Sequence, residues 1–155
     1  MFPANDIMPG QVIARGVCRF LVEAGFAPVT EFAPAPGLRV DVAALGRDGE
    51  IWVIECKSSV ADFRSDRKWR GYLEWCDRYF FAAGEAAPDE IFPAEEGLIR
   101  ADGYGAAILR EAPLRKLAPA RRKALTLRLG RAAALRLRAG LDPGAAALAR
   151  AEAEG

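Results

Sequence analysis

Hydrophobic residues near the start of the chain repeat with the period of an α-helix. Between residues 9 and 24 the apolar positions that share one helical face are Ile13, Val17, Phe20, Leu21 and Ala24. Charged residues occupy another face, and Gly25 stands where a helix commonly ends. The pattern predicts an amphipathic helix over residues 9–24.

Segments typical of β-strands follow this helix. They are Val29–Ala33, Arg39–Leu45 and Glu50–Lys57. A loop rich in Pro and Gly separates the first two, and the tight turn Gly46-Arg47-Asp48-Gly49 joins the second to the third. The sequence therefore predicts a β-meander after the first helix.

The middle of the chain predicts a second helix and a buried strand. Trp69, Tyr72, Leu73 and Cys76 recur at helical spacing, which predicts a helix from about Ser65 to Cys76. This spacing favours Trp69 and Tyr72 as core residues over surfaces for stacking bases. The aromatic run over residues 79–83 predicts a fully buried central strand.

The C-terminal part adds one strand and one long helix. Gly105–Arg110 has the character of the buried strand and follows a polar loop rich in Glu and Pro. Pro119–Ala139 is rich in helix-forming residues, although Gly130 could kink it, and Asp142-Pro143 could cap a last Ala-rich segment. The order αβββαβ, then a strand and a helix, predicts an α/β fold with a central mixed sheet flanked by helices. We expect one domain over residues 1–112, with residues 113–155 packed on it or continuing it.

The composition fits a compact domain and excludes several enzyme classes. The chain has 155 residues, of which 52% are apolar and 28% charged, and it contains no histidine. Serine-histidine triads, cysteine-histidine pairs and histidine-ligated metals are therefore excluded in this chain. The three cysteines, Cys18, Cys56 and Cys76, lack C-x-x-C spacing, so we expect them to be core residues in a reducing compartment. The sequence shows neither a membrane span nor a signal peptide, which predicts a cytoplasmic protein.

The charge is unevenly distributed. The net charge is +1, yet residues 113–140 contain nine basic and no acidic residues. Arg121, Arg122 and Lys123 are candidate contacts for the phosphates of a nucleic acid, since arginine binds phosphate well. The same composition also fits two alternatives. One is a solvated Ala/Arg-rich helix, and the other is a docking surface for an acidic partner.

Two carboxylates and a lysine converge in the predicted meander. Glu55 and Lys57 share one face of the third strand, and the tight turn brings Asp41 approximately opposite Glu55. Such a cluster suits Mg²⁺ or Mn²⁺, which takes one or two carboxylates together with water and phosphate oxygens. Lys57 could hold or deprotonate an attacking water, or neutralise charge on the transferring phosphate. The alternative is a surface ion pair between Glu55 and Lys57.

At these residues the sequence resembles the PD-(D/E)XK nuclease superfamily. The resemblance implies an αβββαβ, restriction-endonuclease-like core, an acidic position at Asp41, a second at Glu55 and the lysine at Lys57. It also implies that the backbone carbonyl of Cys56 is a metal ligand. Val40 departs from the proline of the motif.

More narrowly, three sequence blocks resemble the MmcB family of bacterial proteins related to DNA repair. The blocks are Glu55-Cys56-Lys57-Ser58-Ser59, Asp62-Phe63-Arg64-Ser65-Asp66-Arg67-Lys68-Trp69 and Cys76-Asp77-Arg78-Tyr79-Phe80-Phe81. This resemblance spans about residues 9–112 and leaves the basic C-terminal part outside.

Other charged residues are weaker candidates. Arg64 and Lys68, four residues apart, and Arg67 follow the predicted site and could contact the DNA backbone. A solvated helix face, with Arg70 paired to Glu74, is an equal alternative. Glu23 resembles an acidic residue that assists the metal site in some superfamily members, but it is also spaced as a surface partner of Arg19.

Two functions therefore fit the sequence. The first is a metal-dependent nuclease that hydrolyses DNA in repair. The second is a non-catalytic module that binds DNA or a repair protein through the same fold, with a vestigial site. The sequence leaves a homodimer open and identifies no dimer face.

Overall fold

The computed structural model describes residues 7–145, which contain a central six-stranded sheet. Its strands are β1 (Ala27–Phe32), β2 (Val40–Leu45), β3 (Ile51–Lys57), β4 (Arg78–Ala83), β5 (Gly97–Ala101) and β6 (Ala106–Arg110). They lie side by side in chain order. The β1-β2-β3 pairs are antiparallel, the β3-β4-β5 pairs are parallel, and β6 is antiparallel to β5. The predicted mixed sheet is confirmed.

Helices cover both faces of this sheet. The α-helices are α1 (Pro9–Glu23), α2 (Val60–Ser65) and α3 (Pro119–Leu141), and 3₁₀ helices cover Trp69–Trp75, Asp89–Ile91 and Pro143–Ala145. Gly25 follows α1 with a φ of 87°, which suits the end of a helix. In the part of the chain described, no helix is both long and apolar enough to cross a membrane.

Two apolar clusters hold the helices to the sheet. On one face, α1 packs on alternating strand residues, and the largest buried members are Val17, Leu21, Val42, Ile54, Phe80 and Ile99. On the other face, the 3₁₀ helix Trp69–Trp75 and α3 pack together, with Leu125 and Leu129 buried. Burial of each leucine contributes about 2 kcal/mol. The basic helix α3 is therefore anchored on the same core as the sheet.

The predicted second helix is wrong in type and extent. Ser59 caps α2 by accepting a hydrogen bond from the Asp62 N–H (3.1 Å), so the helix begins at Val60 and ends at Ser65. Asp66 then adopts an extended conformation, and a 3₁₀ helix follows after two more residues. Trp69 and Tyr72 are nevertheless buried, as the pattern predicted.

The sequence also missed one strand. The segment over residues 97–101, predicted as part of a polar loop, is the buried strand β5. Residues 106–110, which looked like a buried strand, form the edge strand β6 with alternating exposure. Its residues alternate between partly buried and exposed, as expected for an edge strand with one side on the protein and the other in solvent.

The C-terminal helix extends slightly beyond its predicted end. α3 continues through Gly130 to Leu141, and Pro143–Ala145 adds a single 3₁₀ turn. The rest of the Ala-rich segment predicted there lies outside the described residues.

Candidate functional site

The carboxylates of Asp41 and Glu55 are fixed by crossed hydrogen bonds between β2 and β3. Val42 pairs with Ile54, which puts Asp41 beside Glu55. The Asp41 N–H donates to Glu55 Oε1 (2.9 Å), and the Cys56 N–H donates to Asp41 Oδ2 (2.8 Å). Each carboxylate is thus held by the backbone of the opposite strand. The expected proximity of Asp41 and Glu55 is confirmed.

This pair carries more negative charge than its surroundings stabilise. Burial raises the pKa of Glu55, and the charge of Asp41 raises it further, to about 8. Burial also raises the pKa of Asp41, only partly opposed by the Cys56 amide and the charge of Lys57, while Asp62 and Asp66 add to the rise. A cation or a proton would relieve this repulsion.

Lys57 lies on the same face but bonds to a residue that the sequence analysis did not select. Its Nζ lies 2.7 Å from Asp66 Oδ2, and the two side chains are only 7% and 14% exposed. Burial alone would lower the pKa of Lys57, but the hydrogen bond to Asp66 and the nearby carboxylates outweigh it and raise the pKa. Lys57 is therefore held as an ammonium, which favours charge neutralisation over the role of a base.

Asp62 and Asp66 are the site residues that sequence reasoning missed. Asp62 Oδ2 accepts hydrogen bonds from the Ser58 N–H (2.9 Å) and the Ser58 hydroxyl (3.3 Å), which closes the end of β3 onto α2. Asp66 Oδ1 accepts from the Lys68 N–H at 2.9 Å. Both aspartates belong to the second block of the MmcB resemblance. Their position just after a strand that ends in E-x-K was the signal available in the sequence.

The cluster opens into a cleft of about 860 Å³. The cleft is lined from α1 by Gln11, Ala14 and Arg15, from β1 by Thr30 and Glu31, and by Asp41, Glu55, Cys56, Lys57, Ser58 and Asp62, with Ile7–Gly10 at its edge. A phosphodiester entering this cleft would meet Lys57 and the carboxylate pair together.

The donor set suits a hard divalent cation. The Cys56 thiol packs into the core on the α1 face, so it is not a ligand for the cleft. The Cys56 N–H points to Asp41. Because the N–H and carbonyl of a strand residue point to the same neighbouring strand, the Cys56 carbonyl points in the same direction. The available donors are therefore oxygens: two carboxylates and one carbonyl. In residues 7–145 no group of three or more His, Cys, Asp or Glu side chains is arranged to hold a metal. Mg²⁺ usually completes its shell with water and phosphate, so two carboxylates fit it.

The candidate DNA contacts near the site do not share a helix face. Arg64 belongs to α2, whereas Arg67 and Lys68 lie in the loop after it, and all three are exposed. The alternative, a solvated helix face with Arg70 paired to Glu74, is not observed in the described residues, where Glu74 pairs with Arg121. Arg70 instead stacks on the Trp69 ring at 4.4 Å.

The basic residues at the start of α3 have three different environments. Arg122 donates to both oxygens of buried Asp77 (2.6 and 2.7 Å) and to the Gly49 carbonyl. Arg121 packs over the Trp75 ring at 4.3 Å and pairs with Glu74. Lys123 is exposed. Arg122 therefore anchors α3, and Lys123 is the most accessible of the three.

Glu23 does not lie near the cluster. It is the last residue of α1, whereas Gln11 and Arg15, from the first half of that helix, line the cleft. Glu23 lies twelve positions after Gln11 along the helix, a rise of about 18 Å. The hypothesis that Glu23 assists the carboxylate pair is not supported by its position.

The family model described as "DNA repair protein MmcB-like" matches residues 8–144. The chain belongs to the MmcB-like DNA repair protein family. The MmcB-like match extends through α3, so the basic helix is part of the family region and not an addition outside it.

One solved structure has the same fold over most of the chain. SPO1766, a protein of unknown function from Silicibacter pomeroyi, is 60% identical with a TM-score of 0.87, over 90% of this chain and 95% of that chain. A repair endonuclease from Pyrococcus abyssi is 22% identical with a TM-score of 0.33, over 46% of this chain and 34% of that one. This second similarity is too low to indicate a shared function. No curated protein matches the chain.

Proposed function

We propose that this MmcB-like protein hydrolyses DNA phosphodiester bonds in a repair reaction that depends on Mg²⁺ or Mn²⁺. One observation carries the proposal. Asp41 and Glu55 are locked side by side in a cleft with raised pKa values, and in the described residues neither forms a salt bridge. A structural pair would be expected to have compensating partners.

The fold order and the motif positions support membership of the PD-(D/E)XK superfamily. Asp41 lies on the second strand, and Glu55-Cys56-Lys57 ends the third. Asp41, Glu55 and the Cys56 carbonyl would hold the metal ion. When bound, the ion would polarise the phosphodiester and lower the pKa of a bound water.

The protein's own side chains would bind and neutralise the substrate. The Lys57 ammonium, held by Asp66, would offset charge that develops on the phosphate. The exposed cations Arg64, Arg67 and Lys68 would contact the DNA backbone near the cleft. Lys123 would add a contact farther away, whereas Arg121 and Arg122 are engaged within the protein.

One observation favours the alternative, a non-catalytic module that binds DNA or a repair protein. The Lys57 ammonium already has a carboxylate partner at 2.7 Å, and Lys57 must remain able to approach a phosphate if it acts in catalysis. A vestigial site would keep this ion pair for stability alone.

Calorimetry with Mn²⁺ and Mg²⁺ separates the two functions. We expect the wild type to bind a divalent ion, and Asp41→Asn/Glu55→Gln to lose binding while it keeps the fold, because the amides replace the carboxylates without a change of shape. Glu23→Gln removes an exposed carboxylate elsewhere and should bind like the wild type. Absence of metal binding by the wild type, with and without DNA, would contradict the nuclease proposal and favour the binding module.

A further inference from the structure

A tyrosine is strongly exposed in the turn between β5 and β6. Tyr104 is 77% exposed, more than any other large apolar residue of the described chain. Asp102 Oδ1 accepts hydrogen bonds from the Tyr104 N–H (2.7 Å) and the Gly105 N–H (3.0 Å). The Asp102 N–H donates to the Gly105 carbonyl, which closes the turn. The backbone that presents the ring is therefore well defined.

This turn is packed directly onto α1. A Cβ at Gly16 would lie 1.8 Å from the Asp102 carbonyl oxygen, so only glycine permits this approach. Arg15 Nε donates to the Gly103 carbonyl at 2.8 Å. Two independent contacts thus join the turn to the helix. The exposed ring is held on a rigid support and does not belong to a loose loop.

Two arginines lie over the ring of Tyr104. The guanidinium carbons of Arg15 and Arg19, one helical turn apart on α1, lie 5.8 and 6.0 Å from the centre of the Tyr104 ring. Both arginines are exposed. The positive charges of Arg15 and Arg19 favour an anionic ligand beside the ring. The nearby Asp102 uses one carboxylate oxygen to hold the turn.

The aromatic and cationic surface is continuous with the candidate active site. Arg15 lines the same cleft as Asp41 and Glu55. A DNA strand that leaves the cleft along α1 would pass Arg15. The adjoining nucleotide would then reach Arg19 and the face of Tyr104.

We propose that Tyr104, Arg15 and Arg19 form a platform that binds an unpaired nucleotide of a DNA strand next to the cleft. The ring stacks on the base, which every base permits, and the guanidinium groups contact the flanking phosphates. Bases inside a duplex already stack on their neighbours, so the platform selects single strands, flaps or frayed ends. The proposal rests on the proposed function only for the assignment of the cleft, because binding to the platform needs neither metal nor cleavage.

Fluorescence anisotropy with a labelled oligothymidine tests the platform directly. The oligonucleotide has about 20 nucleotides, enough to span a single-strand site, and a chelator is present so that cleavage cannot interfere. We expect Tyr104→Ala to weaken binding about tenfold, the loss of one stacked base. Tyr104→Phe keeps the ring and should bind like the wild type. Leu109→Ala, which removes another exposed apolar side chain from β6, is the matched control.

The charge of the platform is tested by salt dependence. Arg19→Gln should reduce the slope of log affinity against log salt by about 0.7, the value for one phosphate contact to a single strand. Tyr104→Ala should leave the slope unchanged. A blunt duplex of the same length should be insensitive to Tyr104→Ala.

Three outcomes would overturn the proposal. The first is that the wild type does not bind oligothymidine. The second is that Tyr104→Ala binds with the affinity of the wild type. The third is that Tyr104→Ala loses as much affinity for the duplex as for the single strand. The second outcome would make a protein partner the better occupant of the exposed ring. Binding that depends on Tyr104 in a protein that never cleaves DNA would support the platform and reject the nuclease, so the two failures are distinguishable.

Discussion

Two acidic centres at opposite ends of β3 are equally buried but differ in how their charge is paired. Asp77, beside Ile51 at the start of the strand, is 1% exposed, and Glu55, near its end, is 5% exposed. Asp77 accepts hydrogen bonds from the Ile51 and Leu117 amides (2.8 and 2.9 Å) and from two nitrogens of Arg122. Glu55 accepts one from the Asp41 amide and faces the Asp41 carboxylate.

The difference in partners reverses the direction of the pKa shift. Burial raises the pKa of both carboxyl groups, but at Asp77 the bonds from Arg122 and the two amides outweigh it, and the pKa falls. At Glu55 the charge of Asp41 adds to the effect of burial, and the pKa rises to about 8. Burial alone therefore does not identify a functional carboxylate. An uncompensated charge in a cleft makes a carboxylate a candidate for function, because it leaves capacity for a ligand.

The acidic pair Asp41 and Glu55 forms the incomplete centre, because its charge is not fully compensated. The largest effect is expected for Lys57, the cation beside this centre. If the proposed function is right, Lys57→Ala should lower single-turnover cleavage of labelled DNA about 10²- to 10³-fold, the usual loss when one charge-stabilising donor is removed. Metal binding measured by calorimetry should persist, because the carboxylate pair remains. Lys116→Ala, an exposed cation that does not line the cleft, is the control. An unchanged cleavage rate in Lys57→Ala would reject its catalytic role.

A smaller effect is expected at the complete centre, where Asp77 is paired with Arg122. This effect concerns stability and not activity. Arg122→Ala leaves Asp77 buried with only its two amide partners, so we expect it to lower the free energy of unfolding by about 3 kcal/mol. Lys123→Ala, at the next and exposed position, should change it by less than about 0.5 kcal/mol. Urea unfolding measures both. Equal stabilities of the two variants would show that Asp77 does not depend on its ion pair.

Local pattern predicted the incomplete centre better than the complete one. Asp41 and Glu55 belong to adjacent strands joined by a short turn, so side-chain alternation and turn length were enough to pair them. Asp77 and Arg122 are 45 residues apart, and hydrophobic periodicity carries no information on which distant charges meet. For this reason Arg122 looked like a free phosphate contact, although it anchors α3.

The secondary structure was also predicted well where local pattern determines it and poorly where distant contacts do. α1 and the strands β2 to β4 follow directly from periodicity, and their bounds agree closely with the prediction. β5 was missed because it is short, begins with glycine and follows a polar loop. The helix expected to begin near Ser65 was displaced by the Ser59 cap and by the pairing of Lys57 with Asp66. Tertiary contacts of this kind override local helical spacing.

The smallest predicted effect is a pH dependence of stability whose sign differs between the centres. Glu55 has a folded pKa of about 8 against 4.5 for an ordinary glutamate, so the unfolded chain loses this proton first. The contribution of protonated Glu55 to the free energy of unfolding is fully present below about pH 4.5 and is lost as the pH rises towards 8. Asp77 acts in the opposite sense, because its lowered pKa contributes stability above pH 3.8 that is lost as the pH falls further.

Glu55→Gln should flatten the part of this profile that belongs to the incomplete centre. The amide carries no charge, so at about pH 8 and without metal the variant should be more stable than the wild type, with a smaller difference near pH 5. Urea unfolding with a chelator present measures the two profiles, and exposed Glu23→Gln should follow the wild type. Parallel profiles for Glu55→Gln and wild type would mean that Glu55 is already compensated in the fold. The contrast with Asp77, and with it the case for a cation at the end of β3, would then fail.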